Sequence, residues 1–501
     1  MTAFAERCGA AGAERVAACA SLLQRVRDER IHCVRVAWCD LHGALRSKSL
    51  EPEALPGALS DGVGLVATLM LKDTAERTAL PVFDPALADR LPVGAQAGNL
   101  RLLPDPASLQ PLPWAPGVAW LRGEPFTEAG RPLSPDPRRV LQRQIDRLAQ
   151  AGLELVCGLE VEFHVYRLTR SADRGSDVLL HEDPAASAWP PPAPSVTLMH
   201  PGHRLLGDDL SDAMEPVFDR IRAVARGLGL GLQSLEIELG PSQVEAVFSP
   251  CDALTAADRM VAFRHGVRQA LARDGLLATF MCQPPFSGAV ASGWHLHQSL
   301  AGSLRRPMAR TGDAQALARL GPEGSAWLAG LLDHARGMAA FAAPTLSGYS
   351  RFQGGPMSPL QAVWGIDSRG AMLRVIGGAG GTLEQPGGGH VENRLGEPAA
   401  NPYLYIASQV AAGLDGLDRG LSAPAPCVDP YAVSAHRQAT HPLPRSLDEA
   451  LEALEADPLW SAAFGPELIA VFTAAKRAEW ARHHAAEDRG EWLRREYFGR
   501  F

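Results

Sequence analysis

Residues 153–165 restrict this chain more than any other stretch. An apolar, β-branched run (Leu153, Leu155, Val156, Leu159, Val161, Phe163, Val165) is interrupted there by Glu160 and Glu162. Such a run reads as a strand. A strand turns every second side chain to the same face, so both carboxylates project together. Two like charges on an apolar strand repel, and burying them is costly unless something positive stands between them. A hard divalent cation with oxygen ligands would meet that need. Alone, a Glu-x-Glu is more often a solvated face with Val161 turned inward, so the reading depends on what else the chain supplies.

With 501 residues, two or more domains are expected. A net charge of −8 gives no support for nucleic-acid binding. Eight scattered cysteines without a Cys-x-x-Cys pair point to reduced thiols and a cytoplasmic location. Glu6, Arg7, Glu14 and Arg15 interrupt the alanine-rich start, so no signal peptide is expected. No apolar run reaches the roughly 18 residues that a membrane span needs.

An amphipathic helix is expected over 13–30, followed by a strand over 31–38, a turn at Asp40-Leu41-His42-Gly43 and a return strand at 44–48. Pro/Gly punctuation from 62 to 137 suggests a small β-rich domain ending near 135. Ser134-Pro135-Asp136-Pro137 starts a helix to about 151 that feeds the Glu-x-Glu strand. A proline-rich surface loop is expected over 171–200. Helices at 208–228 and 255–274, strands at 235–248, 277–281 and 294–300, and one helix over 323–342 follow. Irregular Gly-rich chain to 400 leads into a helical tail with a capping box at Ser446-Leu447-Asp448-Glu449.

Three further clusters repeat the same-face pattern. Glu236, Glu238 and Glu245 flank a Gly240-Pro241-Ser242 turn, which taken alone reads as solvated. His295-Leu296-His297 can present two imidazoles to one site, or can be an ordinary pair of strand histidines. His390-Val391-Glu392-Asn393-Arg394 alternates again, with Arg351, Arg369 and Arg374 upstream. Acids, a metal and guanidinium groups together suit phosphoryl transfer, where they neutralise charge on the transferring group. No Walker A or kinase signature occurs, so nucleotide use would need another fold.

With these motifs in order, the chain resembles the glutamine synthetase superfamily over nearly its whole length. The matching segments include Val34 to Gly43, Asp61-Gly62, Asn99 to Asp105, Gly158-x-Glu-x-Glu-Phe163 and Glu238 to Glu245. Ser292 to Leu300, Ala400-Asn401-Pro402-Tyr403-Leu404 and Ala411 to Gly416 complete the series. The resemblance implies an α+β fold, with a β-grasp domain over 1–135 and a catalytic domain over 136–501 built on a curved antiparallel sheet with helices. It implies Glu162, Glu238 and Glu245 around one Mg²⁺ or Mn²⁺, and Glu160, His295 and Glu392 around a second that faces ATP. His297, Ser299 and His390 match nucleotide-facing positions. Arg351 and Arg394 match those that grip the substrate carboxylate, and Arg369 and Arg374 those that face the phosphoryl group, with Arg369 also near ATP. Stacked rings (a dodecamer) are implied, with sites between subunits and Asp61 contributed in trans.

Departures from the pattern bear on the substrate. Where true glutamine synthetases carry an ammonium-binding glutamate, this chain has Met357, and a thioether is neither a base nor a counter-charge. Val290-Ala291 replaces an Asn-Gly, and Ser368 and His390 replace an asparagine and an arginine. The expected activity is ATP-dependent joining of the γ-carboxylate of glutamate to an amine larger than ammonia, through a γ-glutamyl phosphate. An apolar or aromatic, aniline-like amine fits Met357 and Val290. A polyamine ligase or a true glutamine synthetase are the alternatives. Tyr431 lies near a tyrosine that some relatives adenylylate, but Asp429-Pro430-Tyr431-Ala432-Val433 lacks that context, and no such regulation is expected.

Overall fold

The computed structural model describes residues 3–85, 97–169, 193–302, 321–353, 357–377, 389–431 and 442–501. Most of the proline-rich loop expected over 171–200 lies outside them.

Two sheets organise the chain. The first holds β1 (Cys33–Cys39), β2 (Leu45–Leu50), β3 (Val63–Val66), β4 (Asn99–Pro104), β5 (Gln110–Pro111) and β6 (Val118–Thr127), in the order β2-β1-β6-β4-β3 with β5 on β6. β1 and β2 form the expected hairpin, and β1 runs parallel to β6. The hairpin turn is fixed by Asp40, whose Oδ1 accepts from the backbone N–H of His42 and Ala44, both at 2.9 Å. Gly43 has φ +77°, and a Cβ there would stand 2.2 Å from Arg264 Nη2 and 3.2 Å from the Asn401 backbone. Only glycine lets the hairpin tip press this closely on its neighbours. Helix α1 (Ala13–Asp28) lays Leu22 and Val26 on Val34, Val36, Leu100 and Leu121 to close this core.

The second sheet has ten strands: β7 (Leu153–Leu168), β8 (Val196–Leu198), β9 (Leu232–Ile237), β10 (Gln243–Phe248), β11 (Cys251–Asp252), β12 (Leu276–Thr279), β13 (Trp294–Gly302), β14 (Trp364–Ile366), β15 (Leu373–Ile376) and β16 (His390–Gly396). Its order is β14-β15-β16-β13-β7-β10-β9, and β7 also pairs with β8, β11 and β12. The Glu-x-Glu strand, fed by helix α2 (Pro137–Gln150), is thus the spine of the sheet. Leu159, Val161, Phe163 and Val165 turn to the buried face, all 2% exposed or less. Phe163 stacks on Phe280 at 4.9 Å and meets Phe263 of α3 (Ala253–Arg273) edge-on at 5.7 Å. Each such side chain contributes about 1.5–3 kcal/mol of burial.

The catalytic sheet is antiparallel as expected, apart from its edge, where β14 pairs parallel to β15. Two expectations are corrected. The Gly-rich stretch before 400 is not all irregular, because β14, β15 and β16 extend the sheet from β13. The single helix over 323–342 is two, α4 (Pro322–Asp333) and α5 (Ala335–Ala342), parted at His334. The α+β mixture itself is as expected. All eight cysteines are free thiols. No helix among the described residues is long and apolar enough to cross a membrane.

Candidate active site

Strand register gathers the site. Glu162 on β7 sits opposite Glu245 on β10, and Glu160 sits opposite His295 on β13. His297 faces Glu392 on β16, which in turn faces Arg374 on β15. These side chains share the face opposite the apolar one, while Trp294, fully buried, turns into the core against Tyr405.

His295 stands at the centre. Its Nδ1 lies 2.7 Å from Glu160 Oε1 and 3.7 Å from Glu392 Oε1, and its Nε2 lies 3.9 Å from Glu162 Oε1. Two groups therefore bring ligand atoms within 4.8 Å of one another: Glu160, His295 and Glu392, and Glu162, Glu245 and His295. Glu238 does not fall within that second group. It is half-buried beside it, its carboxylate accepting from the Leu239 N–H at 3.0 Å, and its charge acts on Glu162.

The electrostatics separate the acids. Burial, then the charge of Glu238, pushes Glu162 up to about 8. Burial, then Glu160, Glu162 and Glu238, pushes Glu245 up to about 10. Burial opposes ionisation of Glu160 and Glu392 as well, but the imidazoles of His295 and His297, with Arg394 at Glu392, hold both below the usual carboxylate range. A cluster of mutually repelling carboxylates and a buried imidazole is a donor set that suits Mg²⁺ or Mn²⁺.

Neighbouring groups aim these acids. Glu162 Oε2 accepts from the Gly293 N–H at 3.0 Å and from Gln243 Nε2 at 3.1 Å. A Cβ on Gly293 would lie 2.7 Å from His295 Nε2 and 3.0 Å from Arg351 Nη2. Gln243 shares a strand face with Glu245, so the same-face spacing could have flagged it. Gly293 has no such signal.

Arg394 bonds Glu392 Oε1, and Arg374 donates to Glu392 Oε2 at 3.0 Å and to Asp367 at 2.9 Å. Buried Arg351 donates to the carbonyls of Gly396 at 2.6 Å and Arg394 at 3.1 Å. Arg369 is exposed on the turn between β14 and β15. His297 Nε2 lies 3.1 Å from Glu160 Oε2, and its ring is 4.9 Å from that of His390. Ser299 follows on the same face of β13, half-buried.

Half-buried Val290 crowds the Gly240 turn, where an added Cβ would meet its Cβ at 2.9 Å. Met357 is 61% exposed with φ +66°, a left-handed conformation that costs a side-chain-bearing residue energy and persists at constrained sites. The next carbonyl, Ser358 O, accepts from Tyr431 Oη at 3.0 Å, and the Tyr431 ring covers Gly370, where a Cβ would lie 2.7 Å from it. Tyr431 therefore ties the Met357 loop to the turn that carries Arg369. The sequence offers Tyr431 only a regulatory role, which its context argues against, and gives no signal of this packing role. Asp61 is exposed at the end of a short helix in the first-sheet region, its carbonyl accepting from Arg101 at 2.9 Å. The described residues of this chain do not bring it into the metal groups.

A third group, Asp333, His334 and Asp415, lies among helices and is already bridged by Arg419, at 2.7 Å from Asp333 and 2.8 Å from Asp415.

Comparison with known proteins agrees with this geometry. Residues 134–495 match the family model described as glutamine synthetase, catalytic domain. The chain is 32% identical to γ-glutamylanilide synthase of Acinetobacter sp. over 93% of both chains. It is 33% identical to γ-glutamylethanolamide synthetase GlnA4 of Streptomyces coelicolor over 80% of both. A solved GmaS/ADP complex superposes with a TM-score of 0.73 at 29% identity, covering 95% of this chain and 98% of that one.

Proposed function

The chain belongs to the glutamine synthetase family, and from that membership we propose that it is an ATP-dependent carbon–nitrogen ligase joining the γ-carboxylate of glutamate to an amine larger than ammonia. The preferred acceptor is an apolar or aromatic amine. The observation that carries this choice is Met357: where an ammonium-binding glutamate is expected, a thioether stands exposed, on a loop held by the Tyr431 hydroxyl. The similarity to a γ-glutamylanilide synthase supports it.

Glu160, His295 and Glu392 would hold one divalent ion, and Glu162, Glu245 and Glu238 a second. When bound, such ions neutralise charge on phosphate and carboxylate oxygens. The other roles belong to this chain's own side chains. His297, Ser299 and His390 line the nucleotide side. Arg369 and Arg374 face the phosphoryl group as it passes to the glutamate γ-carboxylate, giving a γ-glutamyl phosphate. Arg351 and Arg394 hold the substrate carboxylate, Arg394 by turning from Glu392. The amine nitrogen then attacks the acyl carbon and phosphate leaves. Val290 and Met357 exclude water and leave an uncharged pocket for the body of the amine.

Residues 1–135 and 136–501 act as two domains. Cytoplasmic stacked rings of subunits complete each site with Asp61 from a neighbour. The competing reading is a small polar amine, favoured by the similarity to an ethanolamide synthetase. ADP release measured with ammonium, putrescine, ethanolamine, ethylamine and aniline in turn tests the choice. Highest kcat/KM with aniline or ethylamine is expected; a preference for ethanolamine would decide for the competing reading, and a preference for ammonium or putrescine would overturn both.

A further inference from the structure

One buried acid near Arg351 takes no part in the proposed mechanism. Glu397 directly follows β16, is fully buried and belongs to none of the metal groups. Both of its oxygens go to one residue. Oε1 accepts from the Thr345 N–H at 2.7 Å, and Oε2 accepts from Thr345 Oγ1 at 2.8 Å. Its own N–H donates to Ala342 O at 2.9 Å, at the end of α5. Burial pushes the carboxyl up to about 7, while Thr345, Lys476 and Arg351 pull the other way. A buried acid is costly unless its hydrogen bonds are met, and here a single turn of chain meets them.

That turn, Leu346–Gln353, starts beside Thr345 and carries Arg351. Thr345 Oγ1 extends the contact into it, accepting from the Gly348 N–H at 3.2 Å and lying 3.0 Å from Ser347 Oγ. Gly348 leaves the room that the acid needs, since a Cβ there would stand 2.8 Å from Glu397 Oε2. Arg351 reaches back in the other direction, to the carbonyls of Gly396 at 2.6 Å and Arg394 at 3.1 Å. The bonding is reciprocal. The side chain of Glu397 holds the start of the turn, and the side chain of Arg351 holds the backbone that leads to Glu397. Both arginines assigned to the substrate carboxylate are fastened by this staple, Arg351 through its guanidinium and Arg394 through its carbonyl.

We infer that Glu397 is a positioning residue, which through Thr345 sets the place of Arg351 and with it the grip on the substrate carboxylate. The inference rests on the assignment of Arg351 and Arg394 to that carboxylate. Glu397 acts through Arg351, and what it supplies is a pair of fixed acceptors rather than a charge. Misplacing an orienting group by about 1 Å can cost roughly 10²-fold in rate, so a loosened turn is expected to be felt at the substrate. Gln in place of Glu397 keeps an acceptor for the Thr345 N–H, and its amide can donate to Thr345 Oγ1, whose own hydroxyl then turns to Ser347. Ala removes both acceptors and leaves a buried N–H unmet.

Initial rates of ADP release by wild type, Glu397→Ala and Glu397→Gln test this, each substrate being varied in turn with the amine that wild type uses best. Glu397→Ala should raise KM for glutamate about tenfold or more, with KM for ATP and for the amine within about twofold of wild type. Glu397→Gln should return KM for glutamate to within about threefold of wild type. A role in stability alone predicts another pattern, a lower kcat from fewer active molecules with every KM unchanged. Should Glu397→Ala yield no folded protein, Thr345→Val keeps the side-chain size, removes the hydroxyl and should raise KM for glutamate about threefold, with KM for ATP unchanged. An unchanged KM for glutamate in active Glu397→Ala, or in Thr345→Val where that protein is lacking, would overturn the inference and leave the ligase reading intact. Equal rises in KM for ATP and glutamate, or a Glu397→Gln protein as impaired as Glu397→Ala, would do the same. A wild type that releases no ADP with glutamate and any of the amines would overturn the ligase reading itself, and the inference with it.

Discussion

Glu160 and Glu162 stand two residues apart on β7 and meet opposite fields. Glu160 is bonded by His295 at 2.7 Å and His297 at 3.1 Å, whereas Glu162 faces Glu238 and Glu245, with only an amide side chain and a backbone N–H on its carboxylate. Replacing either by Gln should lower ligation by roughly 10²–10³-fold. The two should separate in stability. In chelator, Glu162→Gln removes a repelling acid yet keeps an acceptor for Gly293, so its melting temperature should match or exceed wild type by about 1–2 °C. Glu160→Gln removes the partner of two imidazoles and should melt lower. Thermal melts with and without Mn²⁺ check both, and a Glu162→Gln protein less stable than Glu160→Gln would contradict the assignment. Period-two spacing made Glu160, Glu162, His295 and His297 legible in the sequence. It could not reveal that His295 stands between the two groups, because that depends on the β7–β13 register. Tyr431 was illegible as a packing residue for the same reason, since its partners Ser358 and Gly370 lie far away in sequence. Tyr431→Ala should raise KM for the amine about fivefold or more while KM for glutamate and ATP holds, which initial-rate kinetics would reveal. A uniform rise in all three would mean a general loss of order instead.

Helices and strands were legible wherever their own periodicity decided them, and misread where a distant partner did. The α4–α5 break is the clearest case. Apolar positions continue through it, but His334 leaves the helix to donate between Asp457 at 2.7 Å and Asp415 at 2.8 Å. Neither acid is a local neighbour in sequence. β14 and β15 were likewise hidden in Gly-rich chain, because their pairing along β16 and not their composition makes them strands. The His334 bridge carries a pH signature. Burial alone would lower its pKa, but the hydrogen bonds and charges of Asp457 and Asp415 outweigh burial and raise it above 6.5. The stabilisation is therefore fully present below the unfolded-state value of about 6.5, and is lost as pH rises through the higher folded value. His334→Gln should cost about 2 kcal/mol at pH 6 and clearly less at pH 9. Urea midpoints of wild type and variant at both pH values measure this, and a difference that grows with pH would exclude a charged His334.

Across the whole molecule, specific polar bonds join the two sheet regions beside an apolar cluster that runs through both. Arg264 donates to Gly43 O at 2.6 Å and to the carbonyls of Pro398 and Ala400 at 2.9 and 3.0 Å, while Asn401 Nδ2 reaches the carbonyls of Asp40 and Leu41. The C-terminal tail adds Arg482, 2.9 Å from Asp73, and Glu496, which accepts from Thr74. These bonds fix the first sheet region against its own second sheet, yet Asp61 still lies exposed and outside the metal groups of this chain. On the proposed reading, Asp61 acts in ligation on a neighbouring subunit, through a head-to-tail contact of the kind that closes rings, rather than on its own chain. Complementation separates the two possibilities. Asp61→Ala and Glu160→Ala chains should each be nearly inactive as pure assemblies. Co-expressed in equal amounts, they should recover about a quarter of wild-type activity, because random mixing leaves that share of sites with an intact Glu160 and an intact neighbouring Asp61. Were Asp61 to serve its own chain, no mixed assembly would contain a complete site, and activity would stay at the level of the pure variants. Full activity of Asp61→Ala alone would remove that residue from the site altogether.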